Sequence, residues 1–320
     1  MKSFFAANIS VGDELENEPF LIQDSVLRET KDGRPYLLGT LRDKTGQLAF
    51  VFWDIPSYVE NWSLAGSPVF VTGRAVRYKE SLQITITDMN LNREPALEEL
   101  LPSSRRSQEE MVTELQTKID SLGQPWQRLV SHLLLDEGFL RDYANAPAAR
   151  NMHHAYIGGL LEHTLSMASL AEHLAGHYPF VNRNLLLAGT LLHDMGKAIE
   201  YDISKSFSFS EDGRLIGHIT RAVVMVEKAA AELGNFPEDQ LRHLVHLIVS
   251  HHGTQEWGSP VVPKTLEAIL LHQIDLLDSR VQGFFDHLAN DSSEEAWTAK
   301  SSYMFGTELR RPDGFDWKAS

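Results

Sequence analysis

The chain has no cysteine among its 320 residues. That excludes disulfides, zinc–thiolate sites and cysteine nucleophiles, and it fits a reducing compartment. Long apolar runs are missing too: none approaches the length a bilayer-spanning helix needs. The start, MKSFFAANISVGDELENEPF, holds one Lys and then acids, with an apolar stretch too short for a signal peptide. The expectation is a soluble cytoplasmic protein with no membrane attachment. Basic charge is scarce, with 29 Lys and Arg against 44 Asp and Glu and a net charge of −15. A nucleic-acid-binding surface covering the whole protein is therefore excluded. There is no GxxxxGK[ST] loop, which argues against nucleotide hydrolysis by a P-loop mechanism.

The charge that is present is uneven. Residues 20–93 carry a net charge of +1, leaving −16 for the remainder. That segment also reads as β structure. PYLLGTLRD, QLAFVFWDI, PVFVTGRAVRY and LQITITDMNL are rich in β-branched and aromatic residues and are separated by turn signals such as Lys31-Asp32-Gly33 and Lys44-Thr45-Gly46. In SLQITITDM, Leu82, Ile84, Ile86 and Asp88 fall on one face, and Gln83, Thr85 and Thr87 on the other. Five short strands in this span suggest a small all-β barrel, with an OB-fold leading and an SH3-like barrel as the alternative. An OB barrel holds single strands through basic groups and stacking aromatics. Phe50 and Phe52 share one strand face and Trp53 takes the other. Trp53, Arg77 and Tyr78 are therefore the candidate strand contacts.

Beyond this segment the pattern becomes helical. LEELLPSSRRSQEE is polar and reads as a connection, so the expected division is 1–95, a linker over 96–110, and a helical domain over 111–320. Met111, Leu115, Ile119 and Leu122 open the helical pattern. One stretch departs from it. In AIEYDISKSFSFSEDGRLIGHI aromatics alternate with polar residues around Asp212-Gly213, which predicts a small β-hairpin inserted between helices. Residues 291–320 show no period and read as a tail packed on a neighbouring surface.

Seven metal-type ligands recur through the helical part in one order: His163, His193-Asp194, His218, His251-His252 and Asp275. Any one of these histidines alone would read as an ordinary core residue. Together they differ. His193-Asp194 ends the apolar segment LLLAGTLLHD, His251-His252 ends LRHLVHLIVS, and Asp275 lies within LEAILLHQIDLLDSRV. A carboxylate buried there is costly unless a cation compensates it. Imidazole and carboxylate donors without sulfur suit borderline or hard divalent ions. Mn²⁺ is favoured, with Fe, Co²⁺ or Mg²⁺ as alternatives.

The order His…His-Asp…Asp resembles that of the HD-domain metal-dependent phosphohydrolases. GGLLEHTLS, LLHDMGK, GHI, SHHG and QIDLLDSR resemble most closely the YhaM-type 3′–5′ exoribonucleases, which also join an OB-type domain to an HD domain. The resemblance covers nearly the whole chain. It implies that His163, His193, Asp194 and Asp275 are the core ligands, and that His218, His251 and His252 are those of a second ion, with Asp194 bridging. It further implies that Lys197 contacts substrate phosphate, as does one of His153 and His154. Arg280 is a further candidate phosphate contact, although it lies more than a turn beyond Asp275. The expected reaction is hydrolysis of single-stranded RNA from the 3′ end by a metal-bound hydroxide, with Asp194 and Lys197 as the catalytic groups. Single-stranded DNA is a second substrate to test, and a homo-oligomer is left open. Two other readings compete: a small-molecule nucleotide or cyclic-nucleotide HD phosphohydrolase, and a single-strand-binding regulatory protein with a vestigial site. A di-iron HD oxygenase shares the ligand list, but the barrel argues against it. The complete ligand set argues against decay. The absence of Gly-Tyr-Pro after GHI argues against the cyclic-dinucleotide branch.

Overall fold

The computed structural model describes residues 2–56, 59, 65–79, 81–149, 154–203, 207–291, 295–299, 302 and 304–314. The chain divides into two compact units, one of residues 1–103 with 202–208, the other of 104–201 with 209–320. The division falls inside the stretch expected to be a connection, part of which is ordered. Residues Leu97–Leu100 form a helical turn, and Leu100 and Leu101 are buried.

In the first unit, β1 (Glu14–Glu29), β2 (Pro35–Asp43), β3 (Gly46–Trp53), β4 (Pro68–Tyr78) and β5 (Ser81–Leu91) close into a barrel in the order β1-β2-β3-β5-β4. The β3–β5 pair is parallel and the others are antiparallel. This is the OB-type barrel, not the SH3-like one. Phe20, Ile22, Leu41, Phe50, Phe52, Val69, Val71, Ile84 and Ile86 fill its interior. Trp53 points outward, as strand parity requires.

Two details differ from the expectation. The first strand begins at Glu14, because acids at positions 14, 16 and 18 mask the strand and a register shift between Leu15 and Glu18 interrupts its alternation. Asn17 there adopts φ 55°. In β5 the buried face switches from Ile84 and Ile86 to Met89, leaving Asp88 exposed. Thr72 pairs with Asp88 and Gly73 with Ile86, so Thr87 is the extra residue of a bulge, and one inserted residue inverts the parity beyond it. Below the barrel, Lys2 is buried against Asp43 at 3.3 Å and over the Phe20 ring.

The second unit is helical: α1 (Gln108–Asp120), α2 (Trp126–Leu134), α3 (Glu137–Asn145), α4 (Gly159–His177), α5 (Arg183–Leu192), α6 (His218–Leu233), α7 (Glu238–Ser250) and α8 (Leu266–Asn290). Helix α5 is its central element. Asn182 caps it by accepting the Leu185 N–H, and every residue from Leu185 to Leu192 is buried. A helix that is apolar all round belongs at the middle of a core. No described helix is long and apolar enough to cross a membrane.

The expected hairpin is present as the two-stranded sheet of β6 (Tyr201–Asp202) and β7 (Ser208–Phe209). Its turn is not at Asp212-Gly213. Those residues sit in a helical turn, Glu211–Leu215, because the Ser210 side chain accepts the Gly213 N–H and two acids fill the first turn. The described part of the tail packs on α8, with Phe305 against Phe284 and Leu309 buried.

Candidate metal centre

Five helices deliver the ligands to one buried place. His163 lies on the inner face of α4, whereas His193 and Asp194 follow the C-terminus of α5. His218 opens α6, His251 and His252 follow α7, and Asp275 lies within α8. His163, His193, Asp194 and His251 are almost wholly buried.

Asp194 is the pivot. Its Oδ2 lies 3.3 Å from His193 Nε2 and 4.0 Å from His163 Nε2, and His163 Nε2 is in turn 3.4 Å from Asp275 Oδ1. Its Oδ1 lies 3.4 Å from His218 Nε2 and 3.5 Å from His251 Nε2. Around Asp194 the donor atoms thus form two groups, His163–His193–Asp275 and His218–His251–His252, each with its donors within 4.8 Å of one another, and His154, His163 and Asp278 form a third such group beside them. The two oxygens of one carboxylate face the two groups.

The ring orientations follow from what each Nδ1 meets. His193 Nδ1 is 2.8 Å from the Thr190 carbonyl, His251 Nδ1 2.7 Å from that of Ile248, and His252 Nδ1 2.8 Å from that of Trp257. A carbonyl only accepts, so each Nδ1 carries the proton and each Nε2 presents a lone pair. His163 Nδ1 meets Asp278 at 2.7 Å and His218 Nδ1 meets Glu200 at 3.0 Å, with the same consequence. The Nε2 atoms of His193, His218 and His251 and the Oδ1 of Asp194 are buried with no hydrogen-bond partner. Buried polar atoms are rarely left so. Lone pairs converging on one place, with nitrogen and oxygen donors only, fit divalent metal ions.

The electrostatics agree. Burial alone would raise the Asp194 carboxyl, but Lys197 and His193 hold it well below the carboxylate range. Burial likewise opposes ionisation of Asp275, and the His163 hydrogen bond reverses this. For His163, burial favours the neutral ring, yet Asp275 and Asp278 outweigh it and raise the pKa to about 9. A ring nitrogen between carboxylates binds a cation, whether proton or metal. His252 behaves oppositely: burial and then the His251 charge push it down to about 4, so it presents a neutral ring. Lys197 is buried with its Nζ 2.6 Å from Asp194 Oδ2; burial opposes its charge, but Asp194 raises its pKa and keeps it protonated.

Gly196 lets these pieces meet. A Cβ on it would lie 2.2 Å from the His218 carbonyl oxygen, so only glycine allows the start of α6 to approach the His193-Asp194 turn.

The remaining sequence candidates divide. His153 lies outside the described residues. His154 is buried, with Nδ1 2.7 Å from the Tyr156 hydroxyl and Nε2 3.2 Å from Asp278. Both of its ring nitrogens are engaged within the protein, and the ring braces Asp278. Arg280 is exposed on α8, and among the described residues it forms no ion pair. Trp53 and Tyr78 are about half exposed, and Arg77 is exposed next to Tyr78 in sequence. Trp53 stacks on Tyr36 with centroids 4.7 Å apart. Sequence reasoning missed Glu200 and Thr190, which orient ligands, and His272, whose Nδ1 meets the His251 carbonyl at 2.8 Å. Asp278 had a signal in its i+3 spacing from Asp275; Glu200 had none.

The HD domain family model matches residues 160–280, and a family described as a putative helicase matches residues 103–184. The 3′–5′ exoribonuclease YhaM of Geobacillus sp. (strain WCH70) is 35% identical over 276 residues, which is 85% of this chain and 84% of that protein. Among solved structures, the HD domain of the phosphodiesterase PgpH from L. monocytogenes is 18% identical, covering 50% of this chain and 74% of that one at a TM-score of 0.27. The second OB-fold domain of replication protein A from Methanococcus maripaludis is 17% identical, covering 24% and 82% at a TM-score of 0.19. Scores this low support no functional conclusion.

Proposed function

This chain belongs to the family of the 3′–5′ exoribonuclease YhaM, and on that footing we propose that it is a metal-dependent exoribonuclease acting on single-stranded RNA from the 3′ end. The observation that carries the reading is the division of ligands about Asp194, one donor group facing each of its oxygens. His163, His193, Asp194 and Asp275 would hold one divalent ion, and Asp194, His218, His251 and His252 a second. Mn²⁺ suits this set of nitrogen and oxygen donors, with Fe, Co²⁺ and Mg²⁺ as alternatives. Such a pair supplies Lewis-acid activation of water and of the phosphoryl group.

The chain's own groups do the rest. Asp194 keeps its charge because Lys197 and His193 favour the anion, so it enters the reaction already ionised. Lys197 holds a buried ammonium beside it, where positive charge favours an anionic phosphoryl group. The five histidines keep their Nδ1 protons on carbonyls or carboxylates, which prevents the rings from rotating when substrate enters. On the barrel, Trp53 and Tyr78 offer exposed faces on which bases stack, and Arg77 offers charge for the backbone.

Digestion of a 5′-labelled single-stranded RNA with Mn²⁺, with and without chelator, tests the reading. Matched DNA and a nitrophenyl phosphodiester run beside it. A chelator-sensitive ladder shortening from the 3′ end is expected, and the DNA lane sets the breadth of substrate. Turnover of the small diester alone would move the chain to the small-molecule phosphohydrolases. No turnover of any substrate by metal-loaded protein would leave a binding protein.

A further inference from the structure

Two buried carboxylates lie outside both ligand groups, and each holds the ring of one ligand histidine, Asp278 holding that of His154 as well. Glu200 is 7% exposed and Asp278 9%. Glu200 Oε1 accepts the backbone N–H of His218 at 3.1 Å and lies 3.0 Å from His218 Nδ1. Asp278 Oδ2 lies 2.7 Å from His163 Nδ1, and its other oxygen accepts the Ser166 hydroxyl. The other three ligand histidines donate only to main-chain carbonyls. Each half of the centre therefore contains a single histidine backed by a full negative charge. Those two rings also face opposite oxygens of Asp194, His163 towards Oδ2 and His218 towards Oδ1.

Glu200 is itself well anchored. It closes the helical turn Lys197–Glu200, and its carbonyl accepts the Ser210 N–H at 2.9 Å. The Ser210 hydroxyl donates to the Ile199 carbonyl at 2.8 Å. The β6–β7 insertion is thus pinned at both ends beside Glu200, and the chain returns to place His218 on that carboxylate. Among the described residues no Lys or Arg pairs with Glu200, so its charge is directed at His218. A carboxylate on Nδ1 raises the basicity of Nε2 and fixes the ring plane, and loss of such a partner typically weakens metal binding roughly 10- to 100-fold.

We propose that Glu200 and Asp278 are positioning residues for separate halves of the centre. Glu200 sets the affinity of the ion held by His218, His251 and His252. Asp278 sets that of the ion held by His163, His193 and Asp275. The proposal rests on the two-ion reading above.

Its test is titration of the metal-stripped full chain with Mn²⁺ alone, followed by calorimetry and by electron paramagnetic resonance. Wild type should take up two equivalents and show the signal of a spin-coupled pair. In Glu200→Ala one equivalent should weaken by about 10- to 100-fold while the other stays unchanged, and the coupled signal should give way to that of isolated Mn²⁺. Glu200→Gln should fall between the two, because its amide oxygen still accepts but carries no charge. It also serves if the alanine variant fails to fold. Asp278→Asn should weaken one equivalent in the same way, and the double variant should weaken both. Two wild-type equivalents in folded Glu200→Gln and Glu200→Ala, or equal weakening of both equivalents in a folded single variant, would overturn the proposal. Uptake of a single equivalent by the wild type would instead refute the two-ion reading, and the proposal with it.

Discussion

Replacing Asp194 with Asn tests the centre at its pivot. The side chain keeps its shape and loses its charge. Its Oδ2 lies 2.6 Å from Lys197 Nζ, both groups being buried. At that 2.6 Å separation and an effective dielectric constant of about 20, the gross attraction is about 6 kcal/mol. Desolvation of the two ions offsets much of this, and removing one partner of such a buried pair costs roughly 3–5 kcal/mol. Two consequences follow. In chelator the variant should be less stable than wild type by that order, and adding Lys197→Met should restore part of the loss, because the stranded ammonium is gone. With Mn²⁺ the variant should bind fewer than two equivalents. Loss of the charge that would hold the two ions as a pair should also lower kcat by well over about tenfold. Calorimetric metal titration, urea unfolding in chelator and RNA turnover measure the three effects. Turnover within tenfold of wild type at confirmed metal occupancy would refute the bridging role of Asp194.

Three further changes separate the parts of the molecule. Trp53→Ala should raise KM for single-stranded RNA about 5- to 150-fold, the worth of one stacked base, while hydrolysis of a nitrophenyl phosphodiester is unaffected. Equal KM values on RNA would remove Trp53 from the binding face. Gly196→Ala should cost roughly 1–3 kcal/mol in urea unfolding and lower metal stoichiometry, since the new Cβ meets main chain of His218 and not a movable side-chain tip; wild-type stability and stoichiometry would contradict the close approach. Glu172 reports on pH. Burial opposes its ionisation, but Lys118 at 2.6 Å and Arg183 at 2.5 Å lower its pKa below the ordinary 4.5. A depressed carboxyl stabilises above its unfolded pKa and ceases to as pH falls through the folded value. The stability gap between wild type and Glu172→Gln in urea unfolding should therefore be small and positive at neutral pH, below about 1 kcal/mol for a partly exposed pair, and should vanish under acid. A gap that widens below pH 4 would reverse the assignment.

The cluster of His and Asp was legible in the sequence, whereas of the groups that hold its rings only Asp278 left a signal there, and the reason is physical. A histidine or aspartate that ends an apolar helix carries a local cost, visible in the segment itself: His193-Asp194 closes LLLAGTLLHD, and the core must compensate it. The barrel face was legible on similar grounds, since Phe50 and Phe52 on one parity leave Trp53 on the other. Parity fails where an extra residue enters the ladder, as at Thr87 and near Asn17, which no alternation rule detects. The hairpin was found but its turn misplaced, because Asp212-Gly213 satisfies a turn and a capped helical turn equally well, and Ser210 selects the latter. Orientation is a different kind of information. Whether an imidazole presents Nε2 depends on what lies at its Nδ1, and for His218 that group is Glu200, 18 residues away across an insertion. For His163 it is Asp278, 115 residues away on another helix. His154, in the turn before α4, is buried on that same Asp278. The identity of a metal site is thus written locally, in which donors accept burial. Its affinity is written in tertiary contacts between residues that share no period, and these become legible only once the helices are packed.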